Sequence, residues 1–134
     1  SHKFYSLRHL DIASCGFEDA NALTKLTALT SLNLSNNFRS NALLLDRLFT
    51  LSLLQSLTLN NCLFSEAALP HITKLSNLTA LEMMQTNISN KSVSSLFQLP
   101  RLRRVNLIGT FVSSEKLHQL ASKMRVDIAT PFFY

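Results

Sequence analysis

The chain has 134 residues, of which 46% are hydrophobic and 16% charged, and its net charge is +5. This length suits a single domain with its own core, and the composition is too apolar and too weakly charged for a disordered chain. Two glycines leave no room for a glycine-rich phosphate loop, and no apolar run reaches the ~18 residues of a membrane-spanning helix. The opening ten residues contain no long apolar segment, so we expect no signal peptide.

The positive charge is concentrated in the C-terminal half of the chain. Residues 1–79 carry a net charge of +1, and residues 80–134 carry a net charge of +4. A basic half of this kind favours an acidic partner. It is also typical of a solvated surface that keeps a protein in solution, so both interpretations stay open.

Leucine accounts for 27 of the 134 residues, and its spacing reveals an internal repeat. The pattern L-x-x-L-x-L begins with Leu7, Leu10 and Ile12, and its successive starts lie 22, 25, 24, 24 and 21 residues apart. The later copies start at Leu29, Leu54, Leu78, Leu102 and, in a degenerate form, Lys123. Because side chains alternate along an extended chain, each copy predicts a short strand whose leucines face inward.

A polar position follows each predicted strand. It lies three residues after the last aliphatic residue of each copy, and its occupants are Cys15, Asn37, Cys62, Thr86, Thr110 and Pro131. We expect these side chains to turn inward and to bond backbone groups that the turn leaves unpaired. Proline has no N–H and no polar side chain, so this ladder of polar residues is predicted to end at Pro131.

Short helices are predicted in the second half of the repeats. Apolar residues recur at every third position at Leu69, Ile72 and Leu75, which is typical of an α-helix or a 3₁₀ helix. The predicted N-cap residues are Ser65, Ser89 and Ser113. The second repeat has an extra residue near positions 38–41 and is rich in leucine up to Leu48, which predicts a longer and more regular helix there.

The combined motif L-x-x-L-x-L-x-x-N/C/T-x-L resembles the leucine-rich-repeat family over residues 7–128. The helical second half of each copy is similar to the cysteine-containing and ribonuclease-inhibitor-like subclass. The resemblance implies an α/β fold, a right-handed solenoid of five to six repeats with parallel strands on a concave face and short helices on a convex face. Residues 1–134 would form one such domain, with a C-terminal tail or cap at residues 129–134.

The two cysteines hold the same ladder position in the first and third repeats. Two strand spacings put the Cα atoms of Cys15 and Cys62 roughly 9–10 Å apart, whereas a disulfide needs less than about 7 Å. The sequence therefore predicts two free, buried thiols and an intracellular, cytoplasmic location rather than a secreted one. Against this stand four N-x-S/T sequons, a pattern that also arises by chance in a chain rich in serine and asparagine. They begin at Asn33, Asn77, Asn87 and Asn90.

Nothing in the sequence indicates catalysis. The four histidines lie in different repeats, and none has a second histidine or an acid at a spacing that would bind a metal or orient a base. They are His2, His9, His71 and His118. Signatures of serine hydrolases, zinc proteases and kinases are also missing. We therefore predict no enzyme activity, no cofactor, no metal site and no small-molecule substrate.

Candidate partner-binding residues are the outward-facing positions of the predicted strands. They are His9, Asp11, Asn33, Thr58, Asn60, Glu82, Met84, Arg104, Asn106, Ile108 and Arg125. Met84 and Ile108 form an exposed apolar pair beside Arg104, a composition typical of the core of an interface. The alternative is that this pair covers the edge of the domain or meets a flanking segment.

The resemblance implies a non-catalytic protein-interaction module. It would bind a protein partner, of acidic character, through the concave strand face and the basic C-terminal half, as one domain of a larger protein. A second hypothesis is a structural or assembly module that docks end-on or contacts flanking domains, since few aromatic residues are available to cap either end. Nucleic-acid binding has weaker support, because no aromatic residue lies on the predicted strand face to stack on bases.

Overall fold

A computed structural model of the chain describes residues 6–17, 20–37 and 42–127. Six strands of three residues each form one sheet, in which all neighbours are parallel and the strand order follows the sequence. The strands are β1 (His9–Asp11), β2 (Ser31–Asn33), β3 (Ser56–Thr58), β4 (Ala80–Glu82), β5 (Arg104–Asn106) and β6 (Arg125–Asp127). The fold is a leucine-rich-repeat solenoid, in which each repeat contributes one strand.

Short helices connect the strands. They are α1 (Ala20–Leu23), α2 (Ala42–Leu48), a 3₁₀ helix (Glu66–Lys74), α3 (Asn90–Leu96) and α4 (Ser114–Ala121). Pro70 lies inside the 3₁₀ helix, where its missing N–H cannot take part in α-helical hydrogen bonding. The helix predicted for the second repeat is α2, which has seven residues; α1 in the first repeat has four, and α3 and α4 in the later repeats have seven and eight. Residues 38–41, which precede α2, lie outside the described residues, so the greater length of this helix stays a prediction.

The core of the solenoid is the predicted ladder of aliphatic side chains. The central residue of each strand is paired in register with the central residue of the next, as in Leu32, Leu57 and Leu81. These three side chains are at most 1% exposed, and the helical stripe packs against them with Leu69 and Ile72 at 0%. One strand of three residues cannot bury its apolar face alone, so the stacking of repeats creates the core.

The polar ladder bonds the backbone as predicted at its described positions, whereas Pro131, its predicted end, lies outside the described residues. Asn37 accepts hydrogen bonds at Oδ1 from the backbone N–H groups of Cys15 and Phe17, both at 3.0 Å, and donates from Nδ2 to the carbonyl of Ile12 at 2.7 Å. Thr86 donates to the carbonyl of Met83 at 2.9 Å within its own repeat. Asparagine reaches the preceding repeat, whereas threonine only closes its own turn.

Each of the first five strands is followed by a residue in the left-handed region of backbone conformation. Four of these residues have side chains, with φ between 54° and 63°, and the fifth is Gly109 at 77°. They are Ser14, Asn36, Asn61, Gln85 and Gly109. Asparagine and glycine tolerate this conformation best. The amide of Asn61 also donates to that of Asn36 at 2.7 Å, which links the turns of neighbouring repeats.

Both cysteines are free, as predicted, but only one thiol is buried. Cys62 is 1% exposed and donates to the carbonyl of Asn60 at 3.4 Å. Cys15 is exposed, so the prediction of burial was wrong at this position. Among the described residues β1 pairs with β2 alone, and no second strand covers the turn in which Cys15 lies.

The predicted N-cap serines precede their helices, but one alone uses its hydroxyl as a cap. The hydroxyl of Ser113 accepts from the N–H of Lys116 at 3.3 Å. Ser65 and Ser89 make no side-chain cap bond. The N–H of Ser89 instead donates to the carboxylate of Glu66 in the preceding repeat.

Candidate interaction surface

The outward side chains of the strands form a surface of three columns, which we call the strand face. Strand pairing aligns its first column as His9, Ser31, Ser56, Ala80, Arg104 and Arg125. The second column is Asp11, Asn33, Thr58, Glu82 and Asn106. Just beyond the strands, backbone hydrogen bonds between neighbouring repeats align a third column of residues. This column is Ala13, Ser35, Asn60, Met84 and Ile108. All eleven predicted binding residues lie on this face.

Asparagines on the strand face serve the sheet itself. The Oδ1 atom of Asn60 accepts from the backbone N–H of Met84 at 2.8 Å, and its Nδ2 atom donates to Glu82 at 3.3 Å. Asn33 donates to Asp11 at 3.3 Å, and Asn106 accepts from the N–H of Ile108 at 3.1 Å. These side chains are therefore ordered before any partner arrives, which lowers the entropic cost of binding.

The predicted apolar pair, Met84 and Ile108, lies on the strand face, as the alternation of side chains along a strand predicts. Both side chains are less exposed than predicted. Met84 and Ile108 are neighbours in the third column, and both side chains are half-buried. The prediction that both side chains are exposed was wrong, because each of them is only partly accessible to solvent. A half-buried side chain is held in place by its neighbours, so it offers apolar area at little further entropic cost.

Arginines mark the start of the last two strands. Arg104 and Arg125 are partners in the register of β5 and β6, and both are exposed. Arg103 precedes Arg104 and is also exposed. Arg101 lies in the turn before β5, where it donates to Oδ1 of Asn77 at 2.7 Å. The structure thus brings Arg104 and Arg125 together at one end of the strand face.

No protein-family model matches this chain, and no curated protein matches its sequence. Solved structures do match. Internalin C2 of Listeria monocytogenes is 29% identical over 93% of this chain and 53% of that chain, with a TM-score of 0.76. The chain is a leucine-rich-repeat protein.

Two further structures share the fold. The internalin InlF of Listeria monocytogenes is 21% identical over 94% of this chain and 36% of that chain, with a TM-score of 0.77. A pollen receptor kinase 3 is 21% identical over 80% of this chain and 52% of that chain, with a TM-score of 0.61. This leucine-rich-repeat protein spans about half the length of internalin C2 and a smaller share of InlF. Its assignment to the ribonuclease-inhibitor-like subclass stays a prediction.

Sequence reasoning missed three exposed apolar side chains of this leucine-rich-repeat protein. Phe111 is 74% exposed, Leu63 is 47% exposed and Leu53 is 48% exposed. Phe111 and Leu63 occupy the same position, directly after the polar ladder, at the edge where the strands end. The sequence contains a signal for the exposure of Phe111 and Leu63. The residues on either side of this shared position face inward, so the residue between them must face out.

Chemistry other than binding finds little support in the described residues. No three histidine, cysteine, aspartate or glutamate side chains there lie close enough together to hold a metal ion. The prediction that no acid orients a histidine was wrong for His71, because the fold brings its Nδ1 atom within 2.9 Å of Oδ1 of Asp46 from the preceding repeat; this pair lies away from the strand face and is about half exposed at both partners. Over the same residues no helix has the length and apolar character needed to cross a membrane.

Proposed function

We propose that this leucine-rich-repeat protein is a non-catalytic module that binds a protein partner through the C-terminal part of the strand face. The observation that carries the proposal is the alignment of Arg104 and Arg125 in one column, with Met84 and Ile108 aligned in another. Arginine and apolar side chains on one surface are the composition in which binding energy concentrates at interfaces. The similarity to internalins and a receptor kinase supports the fold on which such a surface is displayed.

The proposal extends to the setting of the module. The matched structures are longer than this chain, which supports a role as one domain of a larger protein. Two free cysteines support an intracellular location, because disulfides form and persist in oxidising compartments. The excess of basic residues in the C-terminal half supports a partner of acidic character.

The test is an affinity capture with the double variant Met84→Ala plus Arg104→Glu. We expect the captured partner to bind at least about tenfold more weakly, because truncation of an interface core and reversal of a charge both act at the centre of the surface. The matched control is Leu53→Ala plus Arg47→Glu, which makes the same changes at exposed positions away from the strand face. Circular dichroism verifies that both variants are folded. Unchanged binding by the first variant would place the site elsewhere.

A second candidate function is end-on assembly. The central residues of β2 to β5 are at most 1% exposed, whereas those of the first and last strands, Leu10 and Val126, are half-buried. Solenoids with open ends bury them against a cap or a partner. This observation favours a docking role at an end of the stack rather than on the strand face.

A further inference from the structure

The outer edge of β1 carries backbone groups without a partner in the described part of the chain. The carbonyl of Arg8 and the N–H of Ile12 are bonded to the second repeat. Because successive residues of a strand direct their backbone groups to opposite edges, those of His9 and Asp11 face away from β2. Among the described residues nothing bonds the N–H and carbonyl groups of these two residues. Such an edge is a template for a further strand.

The open part of the edge is short, because the next outward-facing residue is already bonded. The N–H of Ala13 donates to Oδ1 of Asp11 at 3.0 Å, and the carbonyl of Ala13 accepts from the thiol of Cys15 at 3.4 Å. The open groups are therefore those of His9 and Asp11. An antiparallel strand would pair with each of these two residues through a donated and an accepted hydrogen bond.

The core side of β1 is open as well. Leu10 and Ile12 are half-buried, whereas their counterparts in the second repeat, Leu32 and Leu34, are 1% and 0% exposed. A strand laid along β1 would place alternate side chains over Leu10 and Ile12. Removal of this apolar surface from water supplies a driving force for binding that exposed backbone hydrogen bonds alone do not.

The side chains of His9 and Asp11 select the partner. Both are exposed. The carboxylate of Asp11 is held by the N–H of Ala13 and by the amide of Asn33 at 3.3 Å, and no basic side chain of the described residues forms an ion pair with it. A lysine or arginine opposite Asp11 would supply the missing charge, and a carboxylate opposite His9 would accept from the imidazole.

We infer that the edge of β1 binds an extended segment of another protein as an added antiparallel strand. From its N-terminus, this segment reads apolar, basic, apolar, acidic. Its apolar side chains lie over Ile12 and Leu10, and its charged side chains lie beside Asp11 and His9. A short linear segment suits an edge of three residues, whereas a stable dimer of folded chains buries on the order of 1,200 Å² or more.

This binding goes beyond the proposed function, since β1 lies at least three repeats away from Met84 and Arg104. The charge of Asp11 also makes the edge selective. A segment without a basic residue leaves that carboxylate beside an uncharged neighbour, and short strands with charged side chains are how proteins keep sheet edges from indiscriminate pairing.

The test uses a fluorescently labelled peptide with the core Val-Lys-Val-Glu, titrated against the chain by anisotropy. N-methylation of the lysine or glutamate amide should weaken binding at least about tenfold, because these N–H groups would donate to the carbonyls of Asp11 and His9. N-methylation of the valine between them should change binding less than about threefold, since its N–H faces away from β1. Amide hydrogen exchange, followed by NMR, should slow at His9 and Asp11 when the peptide is bound.

Variants of the chain test the pairing of side chains. His9→Glu sets two carboxylates opposite each other and should weaken binding about fivefold, and the peptide core Val-Lys-Val-Lys should restore it. Asp11→Asn can still accept from the N–H of Ala13 but lacks the charge, so it should bind about threefold more weakly. His118→Glu makes the same change as the first variant at an exposed position of α4 and should bind like the unmodified chain. Circular dichroism verifies that the variants are folded.

The outcomes distinguish this binding from the proposed function. Met84→Ala plus Arg104→Glu should leave the affinity for the peptide within about twofold. Absence of binding up to ~1 mM peptide, or binding that ignores both N-methylation and His9→Glu, would overturn the inference and leave the proposed function standing. Peptide binding lost in the Met84 and Arg104 variant alone would overturn the inference in favour of the strand face. A dimer of the chain that His9→Glu dissociates would make a second copy the occupant and overturn the inference as well.

Discussion

The carboxylate of Glu66 joins two repeats. It accepts from the N–H of Ser89 at 3.2 Å, from the Ser89 hydroxyl at 2.9 Å and from the hydroxyl of Ser92. Burial raises the pKa of this carboxyl, but the hydrogen bonds from Ser92 and Ser89 and the charge of Lys91 outweigh burial, so its pKa lies below the ordinary value. Glu66 is therefore a residue whose ionisation is linked to folding.

The linkage predicts an acid-sensitive contribution to stability. Because the folded pKa is depressed, the ionised carboxylate stabilises the fold above the unfolded pKa of about 4.3, and this contribution is lost as the pH falls through the lower folded value. Glu66→Gln should lower the free energy of unfolding by on the order of 1 kcal/mol at pH 7. Urea unfolding at a series of pH values measures the difference between the two proteins, which should shrink below pH ~4.

Glu115→Gln supplies the control for this prediction, since Glu115 is an exposed residue in the first turn of α4. A difference between the chain and Glu66→Gln that stays constant from pH 7 down to pH 3 would show that the lost stability does not come from ionisation.

At the scale of the element, the turn after each strand relies on the polar ladder. Asn37 bonds the backbone of the first repeat at Cys15, Phe17 and Ile12, and it donates to the carbonyl of Leu34 in its own repeat at 3.0 Å. Its amide thus replaces backbone partners that the turn cannot supply. Threonine at the same position in later repeats bonds backbone groups of its own repeat, as Thr110 does by donating to the carbonyl of Leu107 at 2.7 Å and accepting from the N–H of Val112 at 3.4 Å.

This difference predicts a graded effect of substitution at Asn37. Asn37→Ala should lower the free energy of unfolding by about 1–3 kcal/mol, because several backbone groups lose their partners. Asn37→Thr should recover part of the loss, since its hydroxyl can still reach the carbonyl of Leu34. Asn21→Ala, in the exposed part of α1, is the control. Equal stabilities of Asn37→Ala and Asn21→Ala in urea would contradict a structural role for the ladder.

For the whole molecule, stability is close to a sum over neighbouring repeats, and the repeats at the ends have fewer neighbours. The same positive charge that surrounds Arg104 and Arg125 opposes the approach of a second copy to that end of the stack. If the strand face is the binding surface, the isolated chain should be a monomer. If the ends of the stack dock, isolated copies should associate with one another.

Light scattering at increasing protein concentration separates these roles. We expect a monomer of 15.0 kDa throughout, since repulsion between basic surfaces opposes stacking. A mass that rises towards a dimer at micromolar concentration would favour end-on assembly. The variant Arg103→Glu, Arg104→Glu, Arg125→Glu removes the repulsion and shows whether charge alone keeps the copies apart.

Much of this fold follows from the amino-acid sequence alone. The register follows from the leucine period, because a shift of one residue would turn Leu32 and Leu57 outward to water. The membership of the strand face follows from the same alternation, which is why every predicted binding residue lies there.

The sequence by itself determined which residues face the core, which face the open side of the sheet and which occupy the polar ladder, because these properties depend on spacing along one chain. Only the tertiary structure decided how exposed each side chain is. Cys15 lacks a covering strand among the described residues, Met84 and Ile108 are partly covered, and Phe111 projects into solvent. The tertiary structure also decides that Glu66 accepts hydrogen bonds from Ser89 and Ser92. Burial and hydrogen bonding depend on what the neighbouring repeats bring alongside, and more than 20 residues of chain separate those partners.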